Sequence, residues 1–469
     1  MWDPARVHAF VDRPKVVLHD HLDGGVRPAT LIELADAAGV DPPTRDVGDL
    51  MRWLTVQPEM ELAEAFSRFD FVISVMQTED AIRRVAHEAV DDLAADGVVY
   101  AELRFAPLAH TTGGLTGDAV IAAALDGISG SVGSGCDARL IACGLRNLDP
   151  SVSLAAARLA AGWAGRGVVG FDLAGGEVGF PASAHRAAFD IARDAGLGIT
   201  VHAGEMDGVD SVADALDSAL PDRIGHGWRL IDDCVVDNDR ILELGPVARR
   251  VRDGRIPLEI CLTSNACLGQ PVESHPAKAL SDAGFVLSLN PDDRSITTTS
   301  TSREHDLAAR VLGFSSVELA AVNERAAVAA FLPAHERDAL AEAVRAGWKA
   351  RPQRLVHLAP RGRWLDSGAG AYLPDGFESE GFVHLSALHQ VLAPANEFYR
   401  DRGDLVAIVL DTRILGDAVV WEAGTGTQER FPHLYEAITP EAVVAELEFR
   451  PASDGSFLLS DELIRTVAG

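Results

Sequence analysis

The chain has 469 residues, is 47% hydrophobic and carries a formal net charge of −29. That length and apolar content predict two domains, one of them large. The charge opposes any groove for a phosphate backbone and excludes nucleic acid as an expected partner. Five cysteines, odd in number and without a CxxC pair, fit neither a disulfide framework nor a thiolate zinc site. No apolar run is long enough to span a membrane, and MWDPARVHAF lacks a signal-peptide core, so the expectation is a cytoplasmic protein without a membrane partner.

In chain order, short β-branched or apolar runs alternate with Ala-rich stretches of helical period. Eight strands are predicted: KVVLHDH (15–21), VVYAELRFAP (98–107), ARLIACGLR (138–146), VVGFDLAG (168–175), GITVHAGE (198–205), RIGHG (223–227), PLEICLTSN (257–265) and FVLSLNPDD (285–293). Eight such units predict an α/β fold, a (β/α)₈ TIM barrel, with a doubly wound open sheet as the alternative. A long helical region from about Met60 to Ala95 carries Leu62, Phe66 and Phe69 at helical spacing. Near Lys349 to Arg354 the segment KARPQR loses apolar period, which places a boundary there. The expected domains are a barrel over 1–350 and a smaller C-terminal α+β domain over 354–469, where RLVHLA, LVAIVLD and VVAELEF read as strands.

Nearly every predicted barrel strand ends in polar residues, and barrel enzymes build their sites from those ends. His19 and His21 alternate at the end of the first strand, so both imidazoles face one side. His202 ends the fifth strand, His226 the sixth, and Asp292 and Asp293 the eighth. Three imidazoles and one carboxylate satisfy a single zinc ion that keeps a position for water, leaving one further histidine or carboxylate free. Glu205, three residues past His202, supplies a carboxyl group for proton exchange.

The strings HDHLDGG (19–25), YAELRFAP (100–107), FDLAGGE (171–177), TVHAGE (200–205), RIGHG (223–227), TSN (263–265) and LNPDD (289–293) resemble the adenosine deaminase family, over about residues 10 to 345. The resemblance implies one Zn²⁺ per chain on His19, His21, His202 and Asp292. It makes Glu205 the proton donor to the purine ring and His226 the residue that orients or deprotonates water. It makes Asp293 and the Gly175 backbone partners of the base, Asp23 a contact to the ribose, and Leu62, Phe66 and Phe69 an apolar lid. The implied reaction is hydrolytic deamination of adenosine or deoxyadenosine, a step of purine nucleotide metabolism. The alternatives are another adenine-containing base or modified nucleoside, or a catalytically silent nucleoside-binding protein. Adenine-preferring relatives carry glutamate at the place of Asp23 and nucleotide-acting ones asparagine, so HLDGG favours a nucleoside. A lysine-bridged binuclear site has no lysine in FDLAGGE, and the HxE…PCxxC deaminase signature is missing because the chain has no PC dipeptide.

Two positions depart from the family: Leu262 stands where relatives carry proline, and Pro291 where they carry threonine. Beyond Arg354, RLVHLAPRGRWLDSGAGAYLPDGFESEGFVHLS and FPHLYEAI resemble a small bacterial family of unassigned function with a fold similar to ADP-ribosyltransferases. There His357, Arg363, Trp364, Tyr372, His384 and Ser386 are polar or aromatic candidates for a nucleotide pocket, with no catalysis assigned.

Overall fold

A computed structural model describes residues 10–131, 133–368, 370–423 and 430–468, apart from the side chain of Leu62. Its contacts divide the chain into two compact units.

The first unit holds an eight-stranded sheet in sequential order. Its strands are β1 (Lys15–His21), β2 (Val98–Phe105), β3 (Asp137–Leu145), β4 (Val168–Ala174), β5 (Gly198–Ala203), β6 (Arg223–His226), β7 (Leu258–Ile260) and β8 (Leu287–Leu289). Every neighbouring pair is parallel. The ring is drawn shut between β8 and β1, where Asp292 N–H donates to His19 O (3.1 Å) and His21 N–H to Asp292 O (2.7 Å). This is the TIM barrel, and the helices between strands follow from ordinary signals. Thr78 caps the helix Glu79–Ala95 through Ala81 N–H, Glu79 and Asp80 favour its positive end, and Ile82, Val85, Ala89 and Leu93 form the buried stripe.

Three local expectations change. The helical region before β2 is two helices, Leu62–Val75 and Glu79–Ala95. The predicted seventh strand stops at Ile260 and the chain turns into the short helix Leu262–Cys267, because Thr263 is taken by Glu304 (N–H to Oε2, 3.2 Å) and Asn265 by the sixth-strand histidine. A two-stranded hairpin, Cys234–Asp237 and Arg240–Leu244, turns on Asn238 and Asp239, both left-handed (φ 47° and 59°). Asn and Asp tolerate that conformation, the requirement of a two-residue hairpin turn.

The second unit contains two three-stranded antiparallel sheets. Its strands are β9 (Arg354–Pro360), β10 (Val383–His384), β11 (Leu405–Asp411), β12 (Val419–Ala423), β13 (Arg430–Leu434) and β14 (Val443–Phe449), ordered β9-β11-β14 and β10-β13-β12. The buried strand β11 serves two apolar clusters by alternation. Leu405, Ala407 and Val409 face one with the helix Asp461–Ala468, and Val406, Ile408 and Leu410 face the other. Residues 10–13 pack in this unit too, with Phe10 stacked on His389 at 5.2 Å and Val11 against the first cluster. That pairing joins the chain's two ends, beyond the reach of local composition.

Candidate active site and metal centre

The site forms where β1, β5, β6 and β8 run out. His226 and Asp292 both adopt positive φ (60° and 63°), an uncommon conformation that turns each side chain in over the barrel mouth. The paired glycines after β1 make room for β8: a Cβ on Gly24 would lie 1.9 Å from Asp293 Oδ1.

Hydrogen bonds beneath the rim fix the imidazole tautomers. Glu259 on β7 accepts from His19 Nδ1 (2.9 Å), and Asp172 on β4 accepts from His202 Nδ1 (3.0 Å). Both rings therefore turn Nε2 towards the mouth, where an imidazole with its single hydrogen on Nδ1 offers a lone pair. For His226 the order is reversed. Ala277 N–H donates to His275 Nδ1 (3.2 Å), so the hydrogen of neutral His275 is on Nε2, which bonds Asn265 Oδ1 (3.2 Å). That orients the Asn265 amide with its NH₂ towards His226 Nδ1 (3.1 Å). Burial holds the His226 imidazole well below its ordinary value and His275 down to about 3, so both are neutral. His226 consequently presents Nε2–H to the site, 3.3 Å from Glu205 Oε1.

The remaining donors suit a cation. His19 Nε2 and Asp292 Oδ1 are 3.0 Å apart, His21 Nε2 and Asp292 Oδ1 3.5 Å, and His21 Nε2 and His202 Nε2 3.3 Å. Four ligands about 2.0 Å from one tetrahedral ion would stand about 3.3 Å from one another. His19 Nε2 and Asp292 Oδ1 are buried without a hydrogen-bond partner, an arrangement that costs about 1–3 kcal/mol per atom unless an ion satisfies it. His19, His202, His226 and Asp292 also form a group compact enough to hold a metal, as do His21, Asp292 and Asp293.

Beside these donors lies a cavity of about 540 Å³. His21, Asp23, Gly175, His202, Glu205, His226, Asp292 and Asp293 line its polar side, and Phe66, Phe69 and Ile73 its apolar side. Leu62 opens the same helix, but its side chain lies outside the described residues. Burial, then the neighbouring Asp292 carboxylate, pushes the Glu205 carboxyl up to about 8. The same causes raise Asp293 well above the carboxylate range, and its Oδ1 is unpartnered. Asp292 goes the other way: against the cost of burial, His19, His226 and His21 hold it ionised. Asp23 is buried with Oδ1 unpartnered, and despite burial His110 and His21 keep its carboxyl below the ordinary value.

Several supporting residues carry no role in the sequence reading. Glu259 accepts from Arg104 (2.9 Å) and Arg223 (2.6 Å) besides His19, and Arg104 also bridges to Asp172 (2.9 Å). Glu177 accepts the backbone N–H groups of Gly204, Glu205, Met206 and Asp207 (2.6–3.1 Å), clamping the loop that bears Glu205. The available signal was charge inside apolar strands, as in ELRF and PLEIC, where a buried ion must have a partner. Both departures from the family are accommodated. Leu262 takes the first helical position, where proline suits relatives because that N–H has no intrahelical acceptor. Pro291 precedes an Asp292 whose N–H and C=O are both bonded to β1, so Asp292 stays in register.

A family model described as adenosine deaminase matches residues 14–347, and one described as a protein of unknown function (DUF952) matches 358–446. Adenosine deaminases of Mycobacterium marinum and Mycobacterium leprae are 39% and 38% identical, covering 72% and 73% of this chain and 95% and 96% of their own. Among solved structures, an adenine deaminase from Arthrobacter aurescens is 25% identical with a TM-score of 0.64, covering 72% of this chain and all of its own. An N6-methyl-AMP deaminase from Arabidopsis thaliana is 28% identical with a TM-score of 0.61, covering 72% and 98%. With its motifs at the mouth of a parallel barrel and this match over most of its length, the chain belongs to the adenosine deaminase family.

Proposed function

We propose that this enzyme hydrolyses the exocyclic amine of adenosine or deoxyadenosine to give the 6-oxo purine nucleoside and ammonia, with one zinc ion held by His19, His21, His202 and Asp292. The observation that carries the reading is the convergence of His21, His202, Asp292 and a protonated Glu205 on one largely apolar cavity, with His19 Nε2 3.0 Å from Asp292 Oδ1. The tautomers support the ligand set, since His19 and His202 offer a free Nε2 whereas neutral His226 has its hydrogen there. A zinc ion so held supplies Lewis acidity and lowers the pKa of water towards about 7.

The chain's own groups do the rest. Glu205 delivers its proton to the purine ring nitrogen next to the carbon under attack, which makes that carbon a better electrophile. His226 donates Nε2–H to the attacking oxygen and orients it. Neutral Asp293 has an O–H to give a second ring nitrogen, and the Gly175 N–H faces the base edge. Asp23, ionised and short of a partner, accepts from a ribose hydroxyl. Phe66 and Phe69 cover the base and exclude bulk water. Water's oxygen bonds to the ring carbon as one of its protons returns to the Glu205 carboxylate and the other passes to the departing nitrogen; the carbon–nitrogen bond then breaks, the oxygen becomes the 6-oxo group and the amine leaves as ammonia.

The test is metal content together with amine release from adenosine, deoxyadenosine, adenine and N6-methyl-AMP. One zinc per chain and preference for the two nucleosides is expected. Faster release from adenine or N6-methyl-AMP would reassign the substrate, and a zinc-loaded chain that releases nothing would make it a nucleoside-binding protein.

A further inference from the structure

At the opposite end of the barrel, where β4, β5, β7 and β8 begin, the first unit has a basin of about 1310 Å³. Phe331 lies against its floor. A Cβ on Gly170 or Gly198 would come within 2.7 or 2.3 Å of that ring, so a glycine near the start of β4 and another at the start of β5 admit it. The Arg223 guanidinium stacks on the ring at 3.5 Å from its centroid. Leu220 and Val328 also line the basin and are 62% and 54% exposed.

Five arginines line it: Arg139, Arg193, Arg255, Arg325 and Arg337. Its three carboxylates are already engaged: Asp222 accepts Ile199 N–H (2.8 Å), Glu324 pairs with Arg345 (2.5 Å) and Glu336 lies 3.9 Å from Arg139. Arg139 is also held by Asp137, and Arg193 by Asp190 (3.3 Å). Arg255, Arg325 and Arg337 have no ion-pair partner among the described residues. In a chain of net charge −29, three unpaired guanidinium groups facing one concavity beside exposed aliphatic side chains are a local reversal of sign.

We infer that this basin is a second ligand site, for a small molecule carrying a phosphate chain. Guanidinium forks match phosphate oxygens bidentately. The volume exceeds the roughly 300–1,000 Å³ of ordinary small-molecule pockets, so such a ligand fits whole. An acidic protein or peptide segment is the poorer occupant. It would extend beyond the basin onto a chain of net charge −29, whereas a small anion lies within a Debye length, roughly 8 Å, of the arginines.

Calorimetry on the full chain with inorganic triphosphate and with ATP, at low and high salt, tests this. Saturable one-to-one binding that weakens with salt is expected, with the Arg255→Ala/Arg325→Ala pair weaker by about tenfold or more. The Lys pair, which retains charge without the fork, should fall between and guards against misfolding of the Ala pair. Tighter ATP than triphosphate would assign Leu220 and Val328 to the base, and equal binding would assign recognition to the phosphate chain alone. The inference is overturned if neither anion saturates by about millimolar concentration, or if the Ala pair binds as the wild type does. Displacement by a purine nucleoside analogue would also overturn it, by placing the anion in the deaminase pocket, as would tighter binding of a Glu-rich peptide.

Discussion

The two units bury their interiors in contrasting ways. In the C-terminal unit, β11 is apolar from Leu405 to Leu410, its side chains alternating between two apolar clusters, and charged pairs such as Arg361–Glu448 stay at the surface. In the barrel, Glu102, Arg104, Asp172, Arg223 and Glu259 are fully or almost fully buried and bond one another beneath the catalytic mouth. Aliphatic side chains would fill such a space with less desolvation, since buried ion pairs are weak stabilisers. The difference teaches where the barrel trades stability for chemistry: each buried carboxylate bonded to an imidazole sets which nitrogen faces the site. The C-terminal unit also buries a titratable group, His357, whose Nδ1 bonds the His384 carbonyl (2.8 Å) and whose Nε2 has no hydrogen-bond partner, but its two core clusters are built of aliphatic and aromatic side chains, which identify a fold more readily than an activity.

The comparison breaks first if Glu205, the raised carboxyl at the top of this polar column, is dispensable. Glu205→Gln should keep zinc and lose about 10²- to 10⁴-fold in single-turnover rate, since the amide bonds the ring nitrogen but has no proton to transfer. Loss of zinc would make Glu205 a ligand instead. One layer down, Glu259→Gln should weaken zinc by about 10- to 100-fold, measured by competition with a chelator, because His19 loses the carboxylate that orients it. An unchanged affinity would make the buried charges merely structural.

Asn265→Asp probes the reversed tautomer. The carboxylate accepts from His226 Nδ1–H, moves the hydrogen away from Nε2, and should lower kcat by about tenfold, the worth of one hydrogen bond. Nitrogen-15 spectra of histidine-labelled enzyme would report the shift, and a wild-type His226 already protonated at Nδ1 would refute the assignment. A smaller effect concerns pH in the metal-free chain. The folded pKa of Glu205 is raised, so its contribution to stability is fully present below its ordinary 4.5 and lost as pH rises to about 8. Glu205→Gln removes that loss, and its melting temperature relative to wild type should climb across this window and level off above it. Smallest of all, Glu448→Gln in the C-terminal unit should change stability by less than about 0.5 kcal/mol, because its partners Arg361 and Arg450 are exposed.

Much of the barrel and its mouth is legible in sequence because both are written locally. Strand period, a polar residue where the period ends, and HDH or HAGE at that spot place His21, His202 and Glu205 on one rim, with the His19 ring 4.6 Å from that of His202. What escapes is whatever depends on partners far apart in the chain. Glu259 joins residues on β1, β2 and β6, separated from it by up to 240 positions. The TSN string reads as the end of a strand, yet it folds as a helix whose Asn265 answers to His226 and His275. Glu177 closes a familiar string, but nothing in GGE says that it will collect four backbone N–H groups from the loop after β5. Phe10 and Val11 likewise pack against residues hundreds of positions away.

The hub at Glu259 also bears on how the barrel comes together. Its two oxygens are shared among His19 on β1, Arg104 on β2, Thr200 on β5 and Arg223 on β6. A partial barrel lacking β1 and β2 would enclose this carboxylate with only part of its counter-charge, a species that desolvation penalises. Stable half-barrels are therefore disfavoured along the folding route, and the late step that brings β8 onto β1 should be cooperative, with Glu259→Gln smoothing the barrier even as it loosens the finished fold.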